Sequence, residues 1–256
     1  QFSTLLDKFV EAYELNISSN LLSPTFTTIV NYNNTIHNFT KGLTKSIRQK
    51  LFGNTQKEIN VNESIILNKE ITVGDGITLD KDTKLIVTEV QEIMSLVNGI
   101  SLPAFKIKAN VNFGSKIIRD VELIVYSSNI INKIKSLYSQ FNDGNQTAIY
   151  NQTIINEQGK SITTDISLSK AEVTELLKNL TSFDYGYVVN AYKIQGSTVD
   201  YPFVHIDNIT NSPEDILHII SMIYTGISRV SQGLYLFSDS FKETVDNVTL
   251  PNITFE

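Results

Sequence analysis

The 256-residue chain contains no cysteine, which excludes disulfide frameworks, thiolate nucleophiles and cysteine-based zinc sites. Its three histidines, His37, His205 and His218, are far apart in the sequence, so a histidine-built metal centre is not expected. No apolar run approaches the length of a membrane-spanning helix, and we expect no membrane partner. Hydrophobic residues still make up 41% of the chain and charged residues 19%. This composition indicates a folded protein rather than a disordered one.

The formal net charge of −6 disfavours a histone-type binder of nucleic acid, although a net value can hide a local basic face. No Asp or Glu occurs between Glu14 and Glu58. Five positive charges accumulate around this gap, at Lys41, Lys45, Arg48, Lys50 and Lys57. Two interpretations remain open here: a solvated helix face, or a patch that faces phosphates.

The hydrophobic period changes twice along the chain. Residues 1–56 predict a helix, a strand and a helix, the first with Leu5, Phe9 and Tyr13 on one face. Residues 57–127 alternate with a period of two between turn sequences and predict a small β barrel or meander of short strands. Residues 128–256 return to alternating strands and helices, with a polar connection at 141–152.

These patterns predict an α/β fold. Residues 1–56 and 128–256 would form one domain with a mostly parallel sheet and flanking helices, and residues 57–127 an inserted β module. Local signals also predict helix starts, with Ser169 and Glu172 in a capping box and Ser212 as the N-cap of a later helix.

Two segments carry the candidate chemistry. In the first, Asn190 to Thr198, polar residues and a glycine follow an apolar strand, the position at which parallel sheets bind ligands. In the second, Ile223 to Phe237, Arg229 ends an apolar helix and precedes a strand. Taken alone, Arg229 is either a surface residue or a planar donor aimed at a phosphate.

Together the segments resemble the motifs of superfamily 1 helicases. "YKIQGSTVDYPFV" resembles motif V, "IYTGISRVSQGLYLF" resembles motif VI, and "IVNYNNTIHNFTKGLTKSIRQKLFG" resembles motif IV. The β module lies where the RecD/phage Dda-like branch inserts an SH3-like domain. The chain therefore resembles the C-terminal half of such a motor, a second RecA-like domain that carries an SH3-like insertion.

The resemblance implies a role for each matching residue. Arg229 would be the catalytic arginine that reaches the γ-phosphate of ATP, with Gln195 and Gly196 beside the nucleotide. The implied contacts to nucleic acid are Asn33, Asn34, Lys45, Asn190, Tyr192, Lys193, Ser197 and Thr198. Asn190 and Tyr192 depart from the family, which commonly has Thr and His there. We expect Arg229 close to the glutamine turn, defined as Gln195 and Gly196, at the carboxyl edge of the sheet. An arginine turned away from that edge, or held far from the turn, would count against the motor interpretation.

The nucleotide-binding half of a helicase does not match any part of the chain. Its phosphate loop needs G-x-x-x-x-G-K-[ST], whereas Gly159-Lys160-Ser161 has Ile154 in place of the first glycine and is better explained as part of a hairpin. We therefore expect the Mg²⁺ ligands on a missing N-terminal RecA-like domain. Gln1 in place of a Met likewise predicts part of a longer polypeptide, and we see no signal-peptide pattern. The resemblance implies a cytoplasmic protein of a bacterium or phage-infected host.

The function that follows from the resemblance is ATP-dependent DNA unwinding or translocation on single-stranded DNA, with ATP and Mg²⁺ as cofactors. This part alone is expected to hydrolyse no ATP. One alternative is a non-catalytic, decayed helicase domain that binds nucleic acid or protein. Another is a capsid or tail structural protein, for which the glutamine turn and Arg229 would have no use.

Overall fold

The computed structural model describes residues 2–18, 27–31, 37–53, 57–113, 116–142, 144–155, 161–194, 199–231 and 233–238. The chain forms two compact units. Unit 1 comprises Gln1–Leu15, Phe26–Ile47 and Val188–Glu256, and unit 2 comprises Asn16–Thr25 and Arg48–Tyr187.

The described helices and strands follow the chain in this order. The helices are α1 (Phe2–Ser18), α2 (His37–Phe52), α3 (Ser128–Asn142), α4 (Lys170–Asn179), α5 (Ile206–Thr210) and α6 (Ile216–Ile227). The strands are β1 (Thr27–Asn31), β2 (Ser64–Leu67), β3 (Ile71–Thr72), β4 (Thr78–Leu79), β5 (Lys84–Val97), β6 (Ile100–Phe113), β7 (Lys116–Val125), β8 (Thr147–Ile155), β9 (Ser161–Ser169), β10 (Phe183–Tyr185), β11 (Val188–Asn190), β12 (Tyr201–His205) and β13 (Tyr235–Phe237).

Unit 1 contains a four-stranded sheet in the order β11-β1-β12-β13. Each neighbouring pair in it is parallel, so all four strands end at the same edge of the sheet. Parallel neighbours require crossover connections, and α5 and α6 provide the one between β12 and β13. The prediction of a mixed α/β fold is confirmed.

Aromatic side chains fill the core of unit 1. Phe9 of α1 and Phe203 of β12 are fully buried, and their rings meet edge to face with centroids 5.3 Å apart. The ring of Tyr235 stacks on Phe203 at 4.3 Å. Gly226 lets α6 approach β12 closely, because a Cβ there would lie 3.1 Å from a methyl group of Val204.

Unit 2 is built on a five-stranded antiparallel sheet in the order β10-β2-β5-β6-β7. Its central strands β5 and β6 have 14 residues each, longer than the short strands predicted. They are joined at Asn98 and Gly99, both with positive φ as a tight hairpin turn requires. A bridge from Tyr126 to Ser182 joins the ends of β7 and β10, so the sheet curls into a partly closed barrel.

One hydrophobic core of unit 2 lies beside the half of the β5–β6 hairpin that is nearer its turn. Leu102 of β6 packs there in one cluster with Ile134 of α3, Ala148 of β8 and Val173 of α4. The antiparallel pair β8–β9 completes this layer. Residues 128–180 thus bury their apolar side chains against the hairpin.

The structure divides the chain differently from the sequence analysis, which ended the insertion at residue 127. Residues 128–187 belong to unit 2. The reason is tertiary: α3 and α4 share a core with the β5–β6 hairpin, and β10 returns to pair with β2 in the antiparallel sheet. The four-stranded parallel sheet is built from residues on both sides of this longer segment.

Local predictions have mixed outcomes. The capping box of Ser169 and Glu172 is confirmed, and the bond from Ser169 lowers the pKa of Glu172. Strands β8 and β9 pair as an antiparallel hairpin, and Ser161 begins β9; the Gly159-Lys160 pair of the predicted hairpin lies outside the described residues. The N-cap of α6 is Asp215 rather than Ser212, since the Asp215 side chain accepts from the N–H of His218.

The predicted polar connection at 141–152 is partly wrong. Residues from Thr147 onward form β8. Alternate apolar side chains explain the strand, since Ala148 and Tyr150 are buried while Ile149 is half exposed.

No helix in the described part of the chain combines the length and the hydropathy needed to cross a membrane.

Candidate nucleotide and nucleic-acid interface

The strands that lead into the predicted motif IV and motif V segments, β1 and β11, end side by side at one edge of the parallel sheet. Asn31, the last residue of β1, pairs in register with Asn190, the last residue of β11. Asn33 and Asn34 themselves lie outside the described residues, but they follow Asn31 by two and three positions. The carboxyl ends of parallel strands are the usual ligand-binding edge of such sheets.

After Asn190 the chain makes a 3₁₀ turn, Ala191–Ile194, which carries Tyr192 away from the sheet. The side-chain oxygen of Asn190 accepts a hydrogen bond of 2.7 Å from the N–H of Tyr192. The side chain of Tyr192 is 47% exposed. The turn therefore presents an aromatic ring to solvent at the carboxyl edge.

His218, in the first turn of α6, holds the other end of Tyr192. The Tyr192 hydroxyl hydrogen-bonds Nε2 of His218, and the ring centroids are 5.7 Å apart at an interplanar angle of 49°. Asp215 caps the same turn by accepting from the N–H of His218 at 2.9 Å. The sequence analysis did not select His218; its position just after an acidic N-cap residue was the only available signal.

The motif V and motif VI segments meet at the opposite, amino-terminal edge of the sheet. The N–H of Val199 donates to the carbonyl of Arg229 at 2.8 Å, and Val199 bridges Val230 in parallel. These residues precede β12 and β13, which pair at Phe203 and Tyr235. Two segments thirty residues apart in sequence are thus joined by backbone hydrogen bonds.

Further bonds hold this junction. The N–H of Ser231 donates to the carbonyl of Val199 at 3.1 Å, and that of Gly233 to the carbonyl of Asp200 at 3.0 Å. The hydroxyl of Ser231 donates to the carboxylate of Asp200. The backbone of Arg229 is therefore fixed directly beside the residue that follows the glutamine turn.

The hydrogen bonding of the Arg229 side chain differs from that of its backbone, which is held by the bond from Val199. Its Nε is buried, and within the described ranges it has no hydrogen-bond partner and forms no ion pair with a carboxylate. A buried donor without an acceptor is costly, and a guanidinium is suited to a phosphate or carboxylate oxygen. An anion is the kind of partner that would satisfy this donor.

The expected location of Arg229 at the carboxyl edge is wrong, which removes one of the grounds for the motor interpretation. The residue lies at the amino-terminal edge, because α6 must carry the chain back there before the parallel strand β13 can begin. Its expected proximity to the glutamine turn concerns Gln195, Gly196, Ser197 and Thr198, which lie outside the described residues. They connect Ile194 of the 3₁₀ turn to Val199. For Lys193 the structure describes only the backbone, within that turn.

Two of the five positive charges in the segment without Asp or Glu, Lys45 and Arg48, lie in different environments. Lys45 on α2 is exposed, whereas Arg48, one turn later, is only 9% exposed. The Nε of Arg48 donates to Oε1 of the buried Glu63 at 2.5 Å. The interpretation of Arg48 as part of a face of uncompensated charge is therefore wrong, because the fold brings Glu63 to it.

Arg48 and Glu63 form the centre of a buried cluster in unit 2. The guanidinium also donates to the carbonyl of Lys57 at 2.6 Å and lies 4.1 Å from the ring centroid of Tyr185. Glu63 accepts from the hydroxyl of Tyr187 at 3.2 Å and, as a further partner, from the N–H of Asn60 at 2.8 Å. The charges are thus satisfied within the unit.

The pKa values in this cluster reflect the balance of burial and pairing. Burial lowers the pKa of Arg48, but the hydrogen bond and negative charge of Glu63 outweigh it, so the pKa is raised overall. Burial raises the pKa of Tyr185 to about 12, against a partial offset from Arg48. The raised pKa of Arg48 favours its charged guanidinium, and the raised pKa of Tyr185 favours its neutral hydroxyl.

Of the two expected cofactors, ATP and Mg²⁺, the described residues partly fit ATP. The buried Nε of Arg229 suits a triphosphate oxygen. For Mg²⁺ the chain offers no comparable fit, since no three His, Asp or Glu side chains come together within the described ranges.

No family model matches the chain, and no curated protein matches it. Among solved structures it is similar to Pif1 helicase from Bacteroides in complex with ADP-AlF3 and ssDNA, at 11% identity and a TM-score of 0.38, over 85% of this chain and 41% of that one. It is also similar to Pif1 helicase from Candida albicans, at 11% identity and a TM-score of 0.34, over 82% and 44%.

A third similar structure is Bacteroides Pif1 bound to ssDNA, at 10% identity and a TM-score of 0.35, over 92% of this chain and 48% of that one. The chain spans less than half the length of each of these helicases. All three TM-scores are below 0.5, so we base the function on the residues of this chain.

Proposed function

We propose that the chain is the second motor domain of an ATP-dependent DNA helicase or translocase. Unit 1 would be the RecA-like domain, which supplies the arginine side of an ATP site and part of a track for single-stranded DNA. The missing first RecA-like domain, on the same polypeptide or another, would supply the phosphate loop and the Mg²⁺ ligands. The observation that carries this proposal is Arg229, whose backbone is fixed beside Val199 while its buried Nε has no described partner.

Arg229 would act on phosphate that is bound by the missing domain. Bound ATP would supply the phosphoryl group whose hydrolysis drives movement. As negative charge builds up on the transferred group, a guanidinium that donates to its oxygens stabilises the transition state, and in related GTPases such an arginine contributes about 10³ to 10⁵ in rate. The Val199–Arg229 bond supports this role, because a fixed backbone limits how far the side chain can drift.

The carboxyl edge of the sheet supports a nucleic-acid track. Asn190 and Tyr192 are polar and aromatic, Asn31 pairs with Asn190 in register, and Lys45 is exposed on the helix that follows β1. Aromatic stacking on bases and polar contacts to the backbone bind single strands with little sequence preference. Asn33, Asn34, Lys193, Ser197 and Thr198 remain predicted members of this track.

Unit 2 would be the inserted module. Its five antiparallel strands and the Tyr126–Ser182 bridge support an SH3-like barrel. The insertion would then extend to residue 187 and include the layer formed by α3, α4 and the β8–β9 hairpin. We propose that it guides one of the separated strands.

The deciding experiment replaces Arg229 with Ala in the complete protein that contains this chain. We expect ATP turnover stimulated by single-stranded DNA to fall at least about 100-fold, with affinity for the DNA changed by less than twofold. Arg119→Ala is the matched control, since Arg119 is an exposed arginine on β7, and it should leave turnover unchanged. An Arg229→Ala turnover within twofold of the unmodified protein would rule out the proposed role.

The alternative, a decayed helicase domain, predicts a different result from the same assay. A complete protein that binds single-stranded DNA but hydrolyses no ATP, with or without Arg229, would favour that alternative. A complete protein that neither binds DNA nor hydrolyses ATP would contradict both.

A further inference from the structure

Tyr192 is anchored at both of its ends. Its backbone N–H is bound by the side chain of Asn190 at 2.7 Å, and its hydroxyl is bound by His218. Between these anchors the side chain remains 47% exposed. An exposed tyrosine normally samples several rotamers, so a double anchor of this kind restricts one ring to one orientation.

We infer that Asn190, Tyr192 and His218 form a preorganised stacking platform for one base of a single-stranded nucleic acid. Tyr192 would be the contact residue, and Asn190 and His218 positioning residues that act through it. This inference rests on the proposed function and deepens it, since it adds His218, which belongs to none of the helicase-like segments. The ligand would be the flat face of any base, without sequence preference.

The platform also explains why Asn190 and Tyr192 occur together where the resembling family commonly has Thr and His. The amide oxygen of Asn190 reaches the N–H two residues later and stabilises the turn. The hydroxyl of Tyr192 reaches His218 on a separate helix. The two departures and His218 therefore form one hydrogen-bonded unit rather than independent changes.

Preorganisation gives the platform its expected advantage. A mobile side chain loses rotamer freedom when a ligand binds it, whereas the anchors already restrict the Tyr192 ring in the folded chain. His218 is itself held by the first turn of α6, where the Asp215 cap binds its N–H at 2.9 Å. The ring is thus fixed by two elements of unit 1, the 3₁₀ turn after β11 and the start of α6.

The test measures binding of the chain to an oligonucleotide that contains 2-aminopurine, by anisotropy for affinity and by quenching of the base fluorescence for stacking. Tyr192→Leu should weaken binding about 5- to 50-fold and abolish most of the quenching. Tyr192→Phe and His218→Leu should each weaken it about threefold, because both release the ring. His218→Gln, which keeps a hydrogen-bonding group, should restore most of the affinity.

The double variants separate a positioning role from a merely structural one. His218→Leu should cost nothing further in the Tyr192→Leu background, and nothing further in the Tyr192→Phe background. Ile220→Ala is the control, because Ile220 is an exposed residue of α6 outside the helicase-like segments, and it should change neither readout.

The outcomes keep the two proposals distinguishable. If Tyr192→Leu binds within twofold of the unmodified chain, or if the effect of His218→Leu adds fully to that of Tyr192→Leu, the platform is overturned while the Arg229 experiment still stands. If the unmodified chain binds no single-stranded DNA even at low salt, the platform and the proposed DNA track fail together.

Discussion

Arg48 in unit 2 is buried and Arg229 in unit 1 is partly buried with its Nε out of contact with solvent, yet they differ in what surrounds them. Arg48 donates to Glu63 and to the carbonyl of Lys57, and it stacks on Tyr185. Arg229 has a fixed backbone and a buried Nε without a described partner. The first arginine is paired within its own unit, whereas the second, under the proposed function, would donate to a phosphate bound by another domain.

The difference between the two arginines can be tested by removing each charge in a separate variant and measuring the free energy of unfolding. Arg48→Met should lower the free energy of unfolding by about 3–5 kcal/mol, because it leaves the fully buried Glu63 charge without its counterion. Arg229→Met should change it by less than about 1 kcal/mol. Urea unfolding followed by circular dichroism measures both.

A control keeps this prediction testable if Arg48→Met does not fold. The double variant Arg48→Met with Glu63→Gln removes both charges and should recover part of the lost stability. Equal losses for Arg48→Met and Arg229→Met would mean that the two arginines do not differ as described.

Alkaline pH should lower the free energy of unfolding through the ionisation of Tyr185, whose ring lies against Arg48. Burial raises its pKa to about 12 in the folded state, against about 10 in the unfolded chain, so the folded state keeps its proton longer. The resulting stability is complete below pH 10 and is lost as pH rises from about 10 to 12. Absorbance at 295 nm reports the ionisation, and unfolding curves report the stability.

The matched variant for this measurement is Tyr185→Phe, which keeps the ring over Arg48 but cannot ionise. Its stability should decline less steeply between pH 10 and 12 than that of the unmodified chain. Identical slopes would show that Tyr185 ionises normally in the folded protein.

The smallest expected effect concerns Lys45, which lies three residues before Arg48 on the same helix but is exposed. Lys45→Glu should weaken binding of single-stranded DNA about threefold at low salt and reduce the salt slope by about 0.7. Lys135→Glu, at an exposed lysine on α3, is the control and should leave both unchanged. An equal loss of DNA affinity for the two variants would support the interpretation of Lys45 as part of a solvated helix face.

The sequence predicted the elements of unit 1 better than the arrangement of its site. Periodicity identified α1, β1 and α2, and polar residues after an apolar strand identified Asn190 at the end of β11. It misplaced Arg229, although the rule that a crossover helix returns to the amino-terminal edge was available from the order of elements alone. The roles of Gln195, Gly196, Ser197 and Thr198 stay predictions.

Other features had no local signal. Glu63 lies 15 residues from Arg48, and His218 lies 26 residues from Tyr192, so neither pairing has a fixed spacing on one helix or strand. The assignment of residues 128–187 to unit 2 depended on a shared core and on the pairing of β10 with β2.

Local signals predicted most of the helices and strands, because hydrophobic period and capping residues act within a few positions along the chain, but they missed the start of β8 and the N-cap of α6. The sequence also determined the order of the chemical groups in the two helicase-like segments. Only the tertiary structure decided which charges are paired, which edge of the sheet each group occupies, and which unit each segment joins. These depend on contacts between distant residues, which burial and hydrogen-bond satisfaction select across the whole fold.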